Sequence, residues 1–494
     1  MNNLTPSIDE ARIYANDYSY IPVKKEIYSD IKTPIEVVRN LKALSGHVFL
    51  LESVENQEQW GRYTFMGYNP KLCVTCFNGN LTVTDDESKV IESVETTDPS
   101  GYLKKLLEGY KSPRIEGFPT FTGGLVGYFA YDYIKYAEPK LNLDARDEEG
   151  FKDMDLMLFD RVICFDSLKQ KIIVIANVEA KNLESSYAEA EKAIDAIIDL
   201  IKNGKPAEIA KGRMLSNYRK LFEKDEFCDM VDMAKEHITE GDIFQVVLSN
   251  RLEADFEGSL FDTYRVLRTI NPSPYMFYFS GDDIEVAGAS PETLVKCENG
   301  VLHTFPLAGT RPRGKDAEED KRLEEELLKD EKELAEHNML VDLGRNDLGR
   351  ISEYGSVHVE KYMAIQRFSH VMHIGSTVCG KLRSDLHPLD AISAVLPAGT
   401  LSGAPKIRAC EIINKLEYNK RGIYGGAIGY IDFAGNLDTC IAIRIAYKKN
   451  GKVFVRSGAG IVADSDPEKE YQECVNKAKA VLSAIATAQD DESI

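Results

Sequence analysis

The glycine-rich segment near the C-terminus constrains the fold of this chain more than any other feature. Residues 458–463 read G-A-G-I-V-A directly after the strand-like KVFVR, which matches the G-x-G-x-x-A pattern of dinucleotide-binding turns. In a dinucleotide-binding fold the turn opens a helix at once, and a second parallel strand follows. Here Asp466 is the natural N-cap and Pro467 the natural first residue of the next helix, and residues 468–494 read as one terminal helix with no room for that strand. We therefore exclude that fold and predict a flexible glycine loop, with unpaired N–H groups beside a helix N-terminus, that favours an anion.

Length and charge limit the partners of the chain. A chain of 494 residues is too long for one ordinary core, so at least two domains are expected. The net charge of −20 argues against nucleic acid or an anionic membrane surface, since both would be repelled. We find neither a signal-peptide pattern nor an apolar stretch long enough to cross a membrane, and we expect a cytoplasmic protein with no membrane partner. The nine scattered cysteines are typical of thiols that stay reduced.

Hydrophobic patterning divides the chain into three parts. Residues 1–200 contain short strand patterns such as LCVTCF, RVICFD and IIVIANV and predict a β-rich N-terminal domain. Residues 201–220 are polar and predict a linker. Residues 221–494 predict a second domain, with one long acidic helix over residues 317–347 and a three-strand meander over residues 426–462.

Arg444 is a candidate ligand-binding residue. It lies in CIAIRIAY, which reads as one strand, where it shares a face with small side chains. That arrangement gives the planar guanidinium room to reach a carboxylate of a ligand. An edge arginine in a surface ion pair is the alternative on this pattern alone.

Carboxylates on two predicted helices are candidate metal ligands. Glu336 lies where the acidic helix turns apolar, and Glu473 shares a face of the terminal helix with Lys477. Carboxylates from two helices suit a hard divalent cation such as Mg²⁺, which often bridges to an anionic substrate. A solvated charged face is the alternative.

Longer motifs between about residues 40 and 485 point to a family. They are LLES, GASPETLVK, PLAGTRPRG, EKELAEHNMLVDLGRNDLGRIS, HVMHIGST, LPAGTLSGAPKIRACEII, RGIYGGAIGY, IAIRIAY and SGAGIVADSDPEKEYQECVNKA. With these motifs the chain resembles the chorismate-utilising enzymes, in particular those of the anthranilate synthase component I type. The resemblance implies an α+β fold of packed antiparallel β-sheets flanked by helices, with the active site in the second half.

The resemblance also implies roles for individual residues. Glu292 corresponds to the acid that assists departure of the C4 hydroxyl of chorismate, and His373 to a histidine needed for the elimination of pyruvate. Glu336 and Glu473 correspond to the family's magnesium ligands. Implied contacts to chorismate fall on Gly309, Thr310, Tyr424, Arg444, Gly458, Ala459, Gly460 and Lys477.

Two positions discriminate among the reactions of the family. Members that add water to chorismate carry a lysine base where this chain has Gln245, and a glutamine cannot deprotonate water. Aminodeoxychorismate synthases typically carry a nucleophilic lysine where this chain has Ala308 in PLAGT. We therefore expect direct attack of ammonia at C2, loss of the C4 hydroxyl and elimination of pyruvate to give anthranilate. Aminodeoxychorismate synthase component I is the alternative.

The resemblance further implies feedback regulation and a partner subunit. Two segments match the family's tryptophan-binding site: LLES, with Glu52 and Ser53, and NPSPYM, with Pro274, Tyr275 and Met276. Arg62 is the candidate for the basic residue that often accompanies them. The chain has no G-x-C-x-G nucleophile turn, so a separate glutamine amidotransferase subunit would supply the ammonia.

Overall fold

Two large antiparallel sheets form the centre of the protein. The computed structural model describes residues 4–53, 61–367 and 371–491; His370, the first residue of HVMHIGST, lies outside them. The helices in this part of the chain are α1 (Ile8–Tyr14), α2 (Pro34–Lys42), α3 (Pro99–Glu108), α4 (Ile134–Ala137), α5 (Leu183–Asn203), α6 (Lys224–Thr239), α7 (Phe261–Ile270), α8 (Ala317–Leu327), α9 (Glu331–Gly349), α10 (Leu389–Val395), α11 (Lys406–Glu417) and α12 (Pro467–Asp490).

The strands are numbered in chain order over the same residues. They are β1 (Tyr20–Tyr28), β2 (Val48–Glu52), β3 (Tyr63–Tyr68), β4 (Leu72–Phe77), β5 (Asn80–Asp85), β6 (Val90–Glu95), β7 (Gly124–Phe129), β8 (Met154–Phe159), β9 (Arg161–Asp166), β10 (Lys171–Glu179), β11 (Arg213–Met214), β12 (Arg219–Lys220), β13 (Gln245–Glu257), β14 (Tyr275–Ser280), β15 (Glu285–Ser290), β16 (Thr293–Glu298), β17 (Val301–Thr304), β18 (Leu307–Pro312), β19 (His358–Arg367), β20 (Val371–Lys381), β21 (Gly403–Ala404), β22 (Ala427–Asp432), β23 (Leu437–Ile441), β24 (Ile445–Lys449) and β25 (Lys452–Ile461).

Each sheet contains strands from both ends of the chain. The first sheet has the order β1-β10-β9-β3-β2-β14-β15-β24-β25-β13-β11, with β12 and β21 also paired to β13. The second has the order β18-β20-β17-β16-β23-β22-β7-β8-β4-β5-β6, with β19 also paired to β20. Strands from residues 1–200 and from residues 221–494 are hydrogen-bonded to each other in both sheets. The predicted division at residues 201–220 stays a prediction about folding units.

The two sheets pack face to face, and helices cover their outer faces. Alternation along the strands gives this arrangement, because neighbouring side chains on one strand point to opposite faces. On β2, Phe49 enters the inner core, whereas Val48 and Leu50 join the outer core with α2, α5, α7 and α12. On β22, Tyr430 enters the inner core, whereas Ile431 joins the outer core with α3, α9 and α10. The predicted α+β architecture of packed antiparallel sheets flanked by helices is therefore confirmed.

The prediction of one long acidic helix was wrong in one respect: the segment forms two helices, α8 and α9. Asp330 ends the connection between α8 and α9, and its side chain caps α9 by accepting N–H bonds from Lys332 at 3.1 Å and Glu333 at 3.3 Å. Leu327, at the end of α8, is fully buried. The break places the first turn of α9 next to β18, to which the helix packs.

The predicted meander was also wrong in its middle strand. CIAIRIAY is not continuous: β23 ends at Ile441 in the second sheet, and β24 begins at Ile445 in the first. Arg444 lies at this crossing with a φ of +55°, a left-handed conformation that is uncommon for a residue other than glycine. The predicted sharing of one strand face by Arg444 and its small neighbours therefore fails, and the chain has four strands here.

Candidate active site

The glycine segment is a strand rather than a loop, which corrects the sequence prediction. Gly458, Ala459 and Gly460 lie within β25 and pair with β13 opposite Ser249, Leu248 and Val247. Ala459 is fully buried in the core beneath α6 and α11, so its side chain faces away from the two glycines. The helix prediction was correct, since Asp466 caps α12 and Pro467 is its first residue.

The two glycines allow neighbouring groups to lie close to β25. A Cβ on Gly458 would lie 2.7 Å from the carbonyl oxygen of Leu248 and 3.0 Å from the hydroxyl of Tyr424. A Cβ on Gly460 would lie 2.8 Å from Nε2 of Gln245. At Gly458 a side chain would collide with the backbone, so glycine is needed there; at Gly460 a side chain would displace the amide of Gln245.

Gln245 is the first residue of β13, and its amide is buried. Its Oε1 atom has no hydrogen-bond partner among the described residues. A buried amide oxygen is normally paired, so this one is a candidate acceptor for a small ligand.

The structure brings α12 and α9 together at the end of β25. The Lys477 ammonium lies 2.6 Å from Oε1 of Glu473 and donates a 3.1 Å hydrogen bond to the carbonyl oxygen of Gly458. Glu336 on α9 is half-buried; burial raises the pKa of its carboxyl, and the charges of Glu333 and Glu473 raise it further. Carboxylates from two helices therefore lie close enough to repel one another, as the sequence suggested.

This cluster fits a hard divalent cation. Neighbouring carboxylates repel one another, and a cation that prefers oxygen ligands stabilises them by neutralising their charge. Glu336 and Glu473 would be the ligands of a Mg²⁺ ion. Glu333 and Glu470 are additional acids of the same cluster that the sequence reading gave no role, although both share helix faces with the predicted ligands.

Glu292 has the properties of a proton donor. It is half-buried in the connection between β15 and β16, and burial raises the pKa of its carboxyl to about 7. The Thr400 hydroxyl donates a 3.0 Å hydrogen bond to Oε1 of Glu292, and this bond and the positive charge of Lys477 both favour the ionised form. Near neutral pH a substantial share of this group is therefore protonated.

An apolar cleft explains the raised pKa of Glu292. The cleft has a volume of about 410 Å³, counting the part open to solvent. Its lining comes from α9, α10, β16, the end of β23 and the 3₁₀ segment Gly399–Leu401; its aliphatic side chains include Leu294, Leu340, Leu343, Val395, Ala398 and Ile441. Thr400 also lines the cleft. It belongs to the motif LPAGTLSGAPKIRACEII, but the sequence analysis gave it no role.

His373 lies on β20 next to the PLAGT segment. A carbonyl oxygen can only accept a hydrogen bond, so Nδ1 of His373 donates to the carbonyl oxygen of Gly309 at 2.9 Å; the Thr310 hydroxyl lies 3.1 Å from the same atom. Burial lowers the pKa of His373, and the positive charge of Arg444 lowers it further. The ring is thus neutral at physiological pH, with its lone pair on Nε2, which can accept a proton.

Arg444 is a half-buried cation next to Tyr424. Within the described residues its guanidinium makes no ion pair or side-chain hydrogen bond, and burial lowers its pKa. Tyr424 is itself almost fully buried. A desolvated guanidinium without a carboxylate is unfavourable, so this position favours an anionic ligand.

A buried ionic network holds these elements in place, and sequence reasoning missed it. Glu417 on α11 accepts a 2.7 Å hydrogen bond from Arg456 on β25 and one of 2.9 Å from Arg421. Arg421 also donates to the carbonyl oxygens of Leu401 at 2.6 Å and Val247 at 2.7 Å. The network therefore fixes β13, β25 and the 3₁₀ segment that carries Thr400. Arginine inside the otherwise apolar strand KVFVR was the available signal.

The two segments assigned to tryptophan binding are adjacent. Glu52 ends β2 directly opposite Met276 on β14, and Ser53 follows it. Pro274 immediately precedes β14, and the hydroxyl of Tyr275 lies 2.9 Å from Oγ1 of Thr293. Tyr275 thus reaches the residue next to Glu292.

Two arginines near LLES are each paired with a carboxylate. Arg62 pairs with Asp166 at 2.9 Å and does not approach Glu52 in an ion pair. Arg268 on α7 donates a 3.0 Å hydrogen bond to Oε2 of Glu52, and the Tyr264 hydroxyl donates to Oε1. The hydroxyl of Ser53 is buried and has no partner among the described residues.

The described helices include none that is both long and apolar enough to cross a membrane.

Comparison with known proteins gives consistent results. Residues 48–483 match the model of the chorismate binding enzyme family. The chain is 48% identical over 492 residues to anthranilate synthase component 1 of Acetivibrio thermocellus, covering 98% of this chain and 99% of that protein. It is 46% identical to the protein of the same name from Aquifex aeolicus, covering 99% of both. The crystal structure of anthranilate synthase component I from Streptococcus pneumoniae superposes with a TM-score of 0.76 at 39% identity, covering 92% of this chain and 98% of that one.

Proposed function

Because the chain belongs to the chorismate binding enzyme family, among its anthranilate synthase component 1 members, we propose that it converts chorismate and ammonia to anthranilate, pyruvate and water. Ammonia adds at C2, the C4 hydroxyl leaves, and the enolpyruvyl side chain is eliminated as pyruvate. The chain itself is an enzyme of this family. We also propose that the reaction depends on Mg²⁺ and that tryptophan inhibits it.

Arg444 carries the proposal. In a chain with 80 acidic residues, its half-buried guanidinium has no carboxylate partner in the described part of the protein. Its cation therefore serves a ligand rather than the fold. Chorismate has two carboxylates, one of which would accept from the guanidinium while the Tyr424 hydroxyl donates beside it.

Three side chains supply the proton transfers and orient the nucleophile. Glu292, whose pKa is about 7, donates its proton to the C4 hydroxyl, which leaves as water. The orphaned Oε1 of Gln245 accepts an N–H of ammonia and holds its lone pair toward C2. His373, neutral because burial lowers its pKa, removes the C2 proton through Nε2 as the C3–O bond breaks; the enolate that leaves takes up a proton at its methylene carbon and becomes pyruvate.

Glu336 and Glu473 would hold the Mg²⁺ ion, which supplies positive charge for a substrate carboxylate. Lys477 keeps a second cation beside them through its contact with Glu473. The donor set supports this assignment, since it consists of clustered carboxylates with a raised pKa at Glu336.

Tryptophan would bind between LLES and NPSPYM and inhibit the enzyme. The contact of Tyr275 with Thr293 supports a coupling to Glu292, because a ligand that moves Tyr275 also moves the neighbour of the acid. Ammonia would come from glutamine through a separate amidotransferase subunit, which the component 1 names of the relatives support. Alone, the chain would use free ammonium.

The test is an assay of the purified chain with chorismate, Mg²⁺ and ammonium. We expect anthranilate, followed by its fluorescence, and pyruvate in equal amounts, with suppression by tryptophan. An aminated product without pyruvate would instead support the aminodeoxychorismate synthase alternative. The methyl side chain of Ala308 is no nucleophile, so neither product could arise through a covalent intermediate at that position.

A further inference from the structure

Three neighbouring strands of the second sheet bring three metal-binding side chains together, away from the residues assigned above. Strands β17 and β19 both pair with β20, which lies between them. The register places His303 on β17 directly opposite Cys379 on β20. Glu360 on β19 completes the group, and one ligand atom from each residue lies within 4.8 Å of the other two.

A β-bulge directs the carboxylate into this group. The register of β19 against β20 shifts between Val359 and Lys361, so Glu360 is the extra residue. Bulges re-aim a side chain and are common where a strand serves a site. As a result, the Sγ atom of Cys379 lies 3.7 Å from Oε2 of Glu360, to which its thiol donates.

The histidine supplies an independent indication of a ligand. Nδ1 of His303 is buried and has no hydrogen-bond partner in the part of the chain that the structure describes. A buried ring nitrogen without a partner needs an explanation, and a bound cation provides one. The adjacent cation, Lys296, is paired with Glu298 at 2.9 Å.

We propose that His303, Glu360 and Cys379 bind one divalent cation of the zinc class. Imidazole, carboxylate and thiolate are the ligand types of such ions, and three protein ligands leave a fourth position for water. Binding replaces the hydrogen on the Cys379 sulfur by the metal, and the released proton passes to the solvent. The sulfur ligand separates this site from the all-carboxylate cluster at Glu336, which prefers Mg²⁺.

The ion would fasten three strands together. His373 lies on β20, six residues before Cys379, so the fastened strand is the one that carries the proposed base. The proposal does not rest on the proposed function, because it needs only the three side chains and their register. Binding to the folded protein alone would also raise its resistance to unfolding.

The test uses the full chain, reduced, with excess Mg²⁺ present to occupy carboxylate sites. Titration with Co²⁺ is expected to give a sulfur-to-cobalt charge-transfer band that saturates at one ion per chain and disappears when Zn²⁺ is added. Cys379→Ser should lose the band. His303→Ala and Glu360→Gln should keep a band but weaken Co²⁺ binding by about 10-fold or more.

Cys228→Ser is the matched control, because Cys228 is a free, half-buried thiol on α6 outside the group; its band should equal that of the unmodified chain. Circular dichroism would establish that each variant is folded. If Cys379→Ser does not fold, the other two variants decide. Absence of a band in the unmodified chain, a band retained in folded Cys379→Ser, or unchanged affinity in both remaining variants would overturn the proposal.

Discussion

The Thr400 hydroxyl donates a 3.0 Å hydrogen bond to Oε1 of Glu292. Burial favours the protonated acid at Glu292 and raises its pKa to about 7, whereas the bond from Thr400 favours the ionised carboxylate. The acid strength of the proposed proton donor is thus a balance between an apolar cleft and one hydroxyl.

The first prediction concerns Thr400→Val. Loss of the hydroxyl removes a bond to the ionised form, so the pKa of Glu292 should rise above about 7. A general acid works only when protonated, and the fall of kcat/KM on the basic side should therefore move to higher pH, even if the maximum rate drops. Profiles of kcat/KM against pH measure this directly. Thr400→Ser keeps the hydroxyl and should leave the profile in place; a shift to lower pH in Thr400→Val would contradict the assignment.

The second prediction concerns Arg444→Met. Removing the guanidinium should weaken chorismate binding by about 10- to 100-fold, as expected for a charged hydrogen bond of roughly 1.5–3 kcal/mol. The free protein should be no less stable, because the described residues include no carboxylate that this change leaves unpaired.

Equilibrium dialysis with chorismate and thermal unfolding without it measure the two effects. Arg456→Met is the contrasting variant, since Arg456 is buried and bonded to Glu417 at 2.7 Å. That change removes one of the cations paired with the buried carboxylate of Glu417 and should destabilise the fold by about 3–5 kcal/mol. Equal destabilisation by both substitutions would mean that Arg444 serves the fold rather than a ligand.

The third prediction concerns the carboxylates of α9 and α12. Glu336→Gln and Glu473→Gln should each raise the Mg²⁺ concentration needed for half-maximal rate by at least about 10-fold, because each removes one charged oxygen ligand. Glu331→Gln, at the exposed first turn of α9, is the control and should leave the Mg²⁺ requirement unchanged. Normal Mg²⁺ dependence in both site variants would show that the cluster does not bind the ion.

The fourth prediction concerns Ser53→Ala. The Ser53 hydroxyl is buried without a partner among the described residues, so its loss should not reduce stability. If it bonds to tryptophan, the concentration of tryptophan for half inhibition should rise by about 3- to 10-fold, with the uninhibited rate retained.

Inhibition curves for the variant and the unmodified chain measure this effect. Ser100→Ala is matched to it, because the Ser100 hydroxyl is also buried and unpartnered in the described chain but lies on α3. An unchanged inhibition curve in Ser53→Ala would remove Ser53 from the proposed tryptophan site.

Local signals in the sequence were sufficient for the elements near the C-terminus. Asp466 and Pro467 do begin α12, because capping depends on the few residues around a helix start. Lys477 and Glu473 share a helix face for the same reason, since four residues make about one turn. The family motifs added the fold class, which the sheet topology and the matched crystal structure confirm.

The errors lie where distant parts of the chain meet. The glycines of β25 looked like a loop, but they lie in a strand, where the carbonyl oxygen of Leu248 leaves no room for a side chain at Gly458 and the amide of Gln245 lies against Gly460. Arg444 looked like one residue of a regular strand, yet it lies where the chain crosses between two sheets. The hydrophobic periodicity of one segment gives no information about contacts with segments that are distant in the sequence.

The sequence by itself determined the capped terminal helix, the helical character of the acidic segment, and the residue types available at positions 444 and 245. Only the tertiary structure decided their chemistry. Burial in a cleft formed by α9, α10 and a 3₁₀ segment raises the pKa of Glu292 to about 7, and packing of α9 near α12 places the carboxylates of Glu336 and Glu473 within range of each other. The physical reason is that desolvation and charge–charge interaction depend on distances between groups far apart in the chain, which are fixed only when the two sheets and their helices pack.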